Sequence, residues 1–154
     1  MTSDDELVEV RFLRFPVRVS ARATEHFSEL RREFALLAAS TPTDCETVPA
    51  RLLALIDALG RRYPPQAQHE AERQAALDRG DKAADLAVKV PASGAGASVA
   101  LNDMLDEADE FCRTGALLTL AAPPDVAAFR RWYLHEVVAQ VEGAEPTPWP
   151  GGLD

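Results

Sequence analysis

The chain has few cysteines, few aromatic residues and no long apolar run. Its 154 residues include two cysteines, Cys45 and Cys112, which are too few for a disulfide framework. No window reaches the ~18 to 20 continuous apolar residues that a membrane-spanning helix needs, and no leader-like segment opens the chain. The two cysteines and the lack of a leader-like segment lead us to expect a reduced, cytoplasmic protein. Aromatic residues make up 6% of the sequence, so we expect an aliphatic core.

Positive charge is also scarce. The formal net charge is −9, from 16 lysine and arginine residues against 25 aspartate and glutamate residues. Nonspecific binding to nucleic acid or to an anionic membrane requires a positive field, so we expect neither partner. One run of arginines has no acidic residue within it and is interpreted as the solvated face of a strand: Arg11, Arg14, Arg18 and Arg22. As a nucleic-acid-binding surface, this run would predict steeply salt-dependent retention on DNA.

The first strand is predicted over residues 6–19, where apolar residues alternate with charged ones. The alternation changes phase: Val8, Val10 and Phe12 share one parity, whereas Leu13, Phe15, Val17 and Val19 share the other. Since a strand buries one parity, the shift predicts a β-bulge or a bend near Phe12 and Leu13. Pro16 has no N–H to donate, which favours an edge position.

Two further strands and five helices are predicted. Residues 83–90 alternate like a half-buried strand, and the short apolar run Leu117 to Ala121 predicts a third strand. The predicted helices cover about residues 21–39, 47 to between 60 and 63, 66–79, 97–113 and 125–142. The fold class is therefore α+β and helix-dominated, in the order β-α-α-α-β-α-β-α, with a small mixed three-stranded sheet packed by helices.

The strand-helix-strand unit over residues 83–121 predicts a right-handed parallel crossover. Three strands are near the minimum for an independent sheet, so pairing of exposed edges across a homodimer is a further expectation. A single globular domain is predicted over residues 1–143, followed by an extended tail rich in proline and tryptophan over residues 144–154.

No motif of high specificity for catalysis, metal binding or nucleotide binding is present. The stretch Gly94-Ala95-Gly96-Ala97-Ser98 lies between a predicted strand and a predicted helix, where backbone N–H groups could hold a phosphate. It lacks the third glycine of a dinucleotide loop and the Gly-Lys-Ser/Thr end of a P-loop, so a flexible connector is favoured. Gly94, Gly96 and Ser98 remain the ligand-binding candidates of the alternative interpretation.

The acidic face of the predicted fourth helix contains Asp103, Glu107 and Glu110 at helical spacing, but no Glu-x-x-His pair accompanies them. A solvated face is favoured over a divalent-ion site. Each histidine adjoins a glutamate, and neighbouring helical residues point in different directions. Cys112 falls within an apolar stripe, which favours a buried structural thiol. We expect no catalytic residue, no metal and no cofactor.

The last predicted helix and the tail contain both tryptophans. Arg130 and Arg131 flank Trp132, and a guanidinium beside an exposed indole is a common pairing at protein interfaces. The prolines around Trp149 would stiffen the tail and lower the entropy lost when it docks. Arg130, Arg131, Trp132 and Trp149 are accordingly predicted to bind a partner. The alternative is burial of both indoles in the protein's own core.

Several segments resemble a group of small uncharacterised actinobacterial proteins. They are Leu105-Asp106-Glu107-Ala108-Asp109-Glu110-Phe111-Cys112-Arg113, Leu117-Leu118-Thr119-Leu120, Phe129-Arg130-Arg131-Trp132-Tyr133-Leu134 and Pro146-Thr147-Pro148-Trp149. That group is similar to proteins often encoded beside anti-sigma-factor and partner-switching regulators. The nucleotide-binding boxes of the anti-sigma kinases are absent. The resemblance implies that the protein acts together with regulatory proteins, and it assigns no catalytic residue.

These observations predict a non-enzymatic cytoplasmic module that binds a regulatory protein or itself, in a signalling context. The alternative is a small-molecule-binding domain or minor enzyme, with a pocket between the sheet edge and the Gly94 to Ser98 stretch.

Overall fold

The computed structural model describes residues 6–40, 47–64, 66–115, 117 and 120–154. Two strands and five helices follow one another along this part of the chain. They are β1 (Leu7–Pro16), α1 (Val17–Ser40), α2 (Val48–Arg62), α3 (Ala67–Asp78), β2 (Ala83–Pro91), α4 (Gly94–Thr114) and α5 (Pro124–Val141). The prediction of a helix-dominated α+β fold is confirmed, in the order β-α-α-α-β-α-α.

The sheet within the described residues has two strands, β1 and β2, and they are antiparallel. The predicted mixed three-stranded sheet and its parallel crossover are therefore wrong. Of the expected third strand, Leu118 and Thr119 lie outside the described residues, and the Leu120 N–H donates to the Leu117 carbonyl at 2.9 Å, as in a turn. A short apolar run between glycine and proline fits a packed turn as well as a strand, because both bury its side chains.

The predicted irregularity in the first strand is confirmed. Pairing is regular from Leu7 opposite Pro91 to Phe12 opposite Leu86, and it resumes one residue out of step at Phe15 opposite Ala84. Two residues of β1 thus face one residue of β2, which is a β-bulge. Arg14, inside the bulge, has a φ of 54°. The bulge lets both Phe12 and Phe15 face the core.

The first strand ends earlier than predicted, and α1 begins earlier. Val17 and Val19, which were expected in the strand, lie in the first turn of α1. Ser20, which was predicted to cap the start of this helix, lies inside it and is buried. The Val17 N–H donates to the Lys82 carbonyl at 3.1 Å, at the end of the pairing with β2. Two alternating valines are compatible with either element, since both can bury them.

The start of α2 agrees with the prediction, whereas the start of α4 does not. The start of α2 is confirmed, because the Thr47 hydroxyl accepts a hydrogen bond from the Ala50 N–H at 3.3 Å and Pro49 lies in the first turn. In contrast, α4 begins at Gly94 and not near residue 97. The segment predicted as a connector is therefore the first turn of a helix.

Two groups of buried side chains form the core. The first lies between the sheet, α5 and the C-terminal residues and is rich in aromatic side chains: Phe12, Phe15, Phe129, Trp132 and Trp149, with Val10 and Leu86. The second joins α1, α2 and α4 and is mainly aliphatic: Leu30, Leu52, Met104, Leu105, Ala108 and Cys112, with Phe34. The expected aliphatic core is thus found only in the second group.

Each outer edge of the sheet is capped by a glutamine side chain. On β1, the Gln140 amide accepts from the Arg11 N–H and donates to the Arg11 carbonyl, both at 2.8 Å. On β2, the Gln66 amide accepts from the Lys89 N–H at 3.4 Å and donates to the Lys89 carbonyl. Each amide forms the pair of bonds that a further strand would form. At these positions the backbone groups are in use, although the homodimer stays a prediction.

Candidate functional site

Both indoles pack against their own chain. Trp132 is 9% exposed and Trp149 is 4% exposed, and their ring centroids lie 5.5 Å apart in an edge-to-face arrangement. The Trp132 Nε1–H donates to the Thr147 carbonyl at 3.1 Å, and the Trp149 Nε1–H donates to the Gly152 carbonyl at 2.9 Å. A partner could not reach these rings without removing the C-terminal residues from the core.

Three of the four arginines in the N-terminal run hold the C-terminal residues. Arg14 donates to the carbonyls of Trp149 and Gly151, both at 2.8 Å. Arg18 pairs with the Asp154 carboxylate at 3.1 Å, and Arg22 donates to the Asp154 carbonyl, also at 3.1 Å. All four arginines are exposed, as predicted, but Arg18 and Arg22 lie in α1 and not in the strand, so the run is a strand face only for Arg11 and Arg14. A run of cations was visible in the sequence, whereas its acceptors lie more than a hundred residues away.

The other two residues predicted to bind a partner form ion pairs within the chain. Arg130 and Arg131 both pair with the Asp106 carboxylate on α4. Burial of Arg130 lowers the pKa of its guanidinium, whereas the charge of Asp106 opposes that shift. A partner-binding role for Arg130, Arg131, Trp132 and Trp149 stays a prediction, as does the domain boundary at residue 143. Each of the four side chains already has a structural use.

A cavity of about 670 Å³ lies between the inner face of the sheet and helices α2, α3, α4 and α5, and it is called the large cavity below. Its wall is mainly apolar, with Val88 and Val90 from β2, Leu101 from α4 and Val137 from α5 among the contributors. The volume lies within the ~300–1,000 Å³ that is usual for ligand pockets. The large cavity therefore has the size and the lining of a ligand pocket.

One polar position lies where α2 ends and α4 begins, and Arg62 and Tyr63 bring it to the wall of the large cavity. The Tyr63 hydroxyl and the Ser93 hydroxyl are hydrogen bonded at 2.8 Å, and the Arg62 guanidinium lies 3.5 Å from the Ser93 oxygen. Arg62 also lies over the Tyr63 ring, 5.7 Å from its centroid. This position offers hydroxyl groups beside a positive charge.

A second polar position is formed by His69 of α3 and Tyr133 of α5. The His69 Nε2 lies 3.5 Å from the Tyr133 hydroxyl, and the His69 Nδ1 has no hydrogen-bond partner within the described residues. Burial lowers the pKa of His69, because the charged imidazolium loses its hydration, while Glu70 acts in the opposite direction. Burial also raises the pKa of Tyr133 to about 12. Both groups are therefore neutral hydrogen-bonding groups near pH 7.

The ligand-binding candidates from the sequence divide between two locations. Gly94 and Ser98 line the large cavity, whereas Gly96 is exposed and lies outside its wall. A Cβ on Gly94 would lie 2.5 Å from the Val90 Cγ1, so this close approach of α4 to β2 requires glycine. Ser98 is 8% exposed and is one of the buried polar residues of the protein.

The acidic face of α4 forms ion pairs across the described surface. Glu107 pairs with Arg51 at 3.2 Å and Glu110 with Arg113 at 3.7 Å. Within the described ranges, no three histidine, cysteine or acidic side chains are grouped as a metal site would require. Cys112 is fully buried, and this burial, with the charge of Asp109, raises the pKa of its thiol to about 11.

Each helix in the described part lacks the length or the apolar character to cross a bilayer. Comparison of the chain with protein-family models, with curated proteins and with solved structures finds no match. The resemblance of the C-terminal segments to the actinobacterial group stays an expectation. Any argument about function therefore depends on the geometry of the site.

Tyr63, His69 and Tyr133, which contribute polar groups to the wall of the large cavity, were not predicted as site residues. They come from three helices, and no spacing along the sequence relates them. His69 gave a weak signal in the sequence. It is a histidine in a helix that is otherwise polar and was predicted to be exposed, and a histidine that becomes buried needs a hydrogen-bond partner.

Proposed function

We propose that this protein is a small-molecule-binding domain, and that its ligand occupies the large cavity with an apolar body and one polar group. The observation that carries the proposal is the cavity itself. It is about 670 Å³ in volume, mainly apolar, and has a few polar groups at defined positions. That combination is what distinguishes ligand sites from packing defects, which are smaller and lack convergent polar groups.

The polar groups indicate what the ligand presents. The His69 Nδ1, which has no hydrogen-bond partner within the described residues, gains a hydrogen bond if a ligand atom or a bound water reaches it. The Tyr63 hydroxyl, which also lies on the wall, already donates to the Ser93 hydroxyl at 2.8 Å. The ligand therefore carries a group that hydrogen bonds with His69, and hydrocarbon elsewhere.

The proposal is one of binding and not of catalysis. A nucleophilic mechanism needs a serine or cysteine within hydrogen-bond reach of a base. In the described part of the cavity wall, the hydrogen-bond contact of the His69 ring is with Tyr133, and the Cys112 thiol lies in the other core group. Binding through the C-terminal indoles, the function first expected, has less support, because those rings are packed in the core.

A pair of matched substitutions on α4 tests the proposal. Ala97 lines the large cavity, whereas Ala100, one turn away, is exposed. Ala97→Phe places a ring in the cavity, and Ala100→Phe places the same ring in solvent. The probe is N-phenylnaphthylamine, an apolar amine whose fluorescence rises in apolar surroundings.

We expect the wild type and Ala100→Phe to bind the probe and to melt at a higher temperature with it. At a probe concentration of about 100 Kd, the stabilisation is about 2.7 kcal/mol, which corresponds to roughly 5–10 °C for a domain of this size. Ala97→Phe should keep its far-ultraviolet circular dichroism and lose both signals. Equal binding by the two variants, or no binding by the wild type, would overturn the proposal.

A further inference from the structure

A second cavity, of about 290 Å³, lies between α1, α4 and α5, and it is called the small cavity below. Its wall is mainly apolar and includes Ala23 and Leu30 of α1, Leu105 of α4 and Val126 of α5. Protein interiors are close-packed, and voids larger than a water molecule are few in them. A space of this size therefore needs an explanation other than imperfect packing.

Three polar side chains on the wall of the small cavity already have partners. The His26 Nε2 and the Leu120 carbonyl are hydrogen bonded at 2.8 Å, and the Thr24 hydroxyl donates to the Ser20 carbonyl at 3.0 Å. The contact of the Tyr133 hydroxyl is with the histidine of α3 described above. These groups do not require a ligand.

The aspartate and the arginine on this wall are both in ion pairs. Asp109 pairs with Arg113 at 2.6 Å and accepts from the Ala122 N–H at 2.7 Å. Arg130 pairs with Asp106. An anionic ligand would approach the carboxylate of Asp109, a cationic ligand would approach the guanidinium of Arg130, and burial of an unmatched charge is costly. An uncharged ligand avoids both costs.

One hydrogen-bond donor on this wall is unused. The Arg130 Nε–H is buried and has no hydrogen-bond partner within the described residues, whereas the Nη2 group of the same side chain donates to Asp106. Native proteins contain few buried donors without a partner, because such a group loses its hydration and gains nothing in return. A single water would find few further polar partners on this wall. An acceptor atom on an otherwise apolar ligand would satisfy the donor.

The volume and the lining of the small cavity indicate the size of the ligand. An apolar cavity of about 150 Å³ can bind benzene. The small cavity has roughly twice that volume, so one aromatic ring with a short substituent fits within it. Phe27 and Phe129 contribute rings to its wall, and aromatic pairs gain free energy beyond that of the area they bury.

From these observations we infer that the small cavity is a second binding site, for an uncharged aromatic molecule whose hydrogen-bond acceptor binds the Arg130 Nε–H. This inference goes beyond the proposed function, because it concerns a different cavity and does not depend on binding in the large one.

The probe for this site is acetophenone, a single ring with one carbonyl group. Ethylbenzene has nearly the same shape without the carbonyl and is the reference ligand. The Kd of each is measured from backbone amide chemical shifts in an NMR titration of the full chain. We expect both to bind the wild type and to shift amides of α1, α4 and α5. Absence of acetophenone binding would overturn the inference.

Substitutions that fill the small cavity should weaken the binding of acetophenone. Ala23→Leu fills it from α1 and Ala122→Leu fills it from the turn before α5, so a second variant is available if one fails to fold. We expect the Kd to rise roughly tenfold or more in each. Ala35→Leu, on the exposed face of α1, and Ala97→Phe, which fills the large cavity, are the controls and should keep the wild-type Kd.

Arg130→Lys tests the hydrogen bond itself. Lysine keeps the positive charge that pairs with Asp106, but it has no donor at the position of Nε. The Kd of acetophenone should therefore rise roughly tenfold, whereas that of ethylbenzene should stay within about twofold of the wild type. A change of equal size for the two ligands would show that Arg130 does not bind the acceptor, and would overturn the inference.

The cavity variants decide where acetophenone binds. If Ala23→Leu and Ala122→Leu both bind it like the wild type, the small cavity is not the site and the inference is overturned. If Ala97→Phe abolishes binding, acetophenone occupies the large cavity, and the inference is overturned while the proposed function stands. If N-phenylnaphthylamine does not bind the wild type and acetophenone does, the proposed function fails while the inference stands.

Discussion

Replacing Trp149 with alanine should destabilise the whole domain, although Trp149 lies only five residues before Asp154. Its ring is 4% exposed and contacts Trp132 and Phe129 at centroid distances of 5.5 Å and 6.1 Å. Removal of a buried tryptophan or phenylalanine side chain costs about 3–5 kcal/mol. The backbone bond from the Trp149 N–H to the Leu13 carbonyl, at 3.1 Å, can remain. The loss therefore comes from the side chain.

We expect Trp149→Ala to lower the free energy of unfolding by about 4 kcal/mol, a large part of the 5–15 kcal/mol typical of a domain. The melting temperature should fall by about 8–16 °C. Urea unfolding followed by far-ultraviolet circular dichroism measures the first quantity, and a thermal scan measures the second.

Thr147→Ala is the matched control for Trp149→Ala, because the Thr147 side chain is exposed and its backbone groups are retained. Its effect should stay within about 0.5 kcal/mol. A loss of less than about 1 kcal/mol in Trp149→Ala would refute the reasoning. It would mean that residues 144–154 form a separable tail whose indole is free to meet a partner.

Two further predictions concern titratable groups. Burial lowers the pKa of His69 in the folded chain, so the unfolded chain binds more protons, and the free energy of unfolding should fall as the pH drops through about 6.5. Urea unfolding between pH 7 and pH 5 should show a smaller loss of free energy in His69→Gln than in the wild type. Equal losses would contradict the assignment. Burial raises the pKa of the Cys112 thiol to about 11. In a Cys45→Ser background, the folded protein should therefore resist a thiol-specific disulfide reagent at pH 8 and should react once it is unfolded. Rapid reaction of the folded protein would contradict the burial of Cys112.

Much of the fold was predictable, because the local pattern decides it. The change of phase in the first strand predicted the bulge, and Thr47 with Pro49 predicted the start of α2. The pattern is insufficient where a short apolar segment suits two structures. Val17 and Val19 became helix, and Leu117 to Ala121, as far as it is described, became a turn. In each case tertiary packing, and not the local sequence, determined the outcome.

The candidate site was less predictable than the fold. Gly94 and Ser98 were identified from a small-residue stretch, and both line the large cavity. Tyr63, His69 and Tyr133 could not be identified, because they meet only when α2, α3 and α5 pack around the sheet. The tryptophans were conspicuous for their residue type, but burial and exposure look alike in the sequence when the contacts that cover a ring come from residues far along the chain.

The glutamine caps on the sheet have a consequence for the solubility of the chain. Exposed strand edges recruit other strands, and this is how soluble proteins begin to form fibrils. Two strands are fewer than an independent sheet usually needs, so an uncapped pair would be prone to such growth. Gln66 and Gln140 occupy the backbone positions of Lys89 and Arg11, where an incoming strand would attach. Two neutral amides, rather than further strands, limit the growth of this sheet.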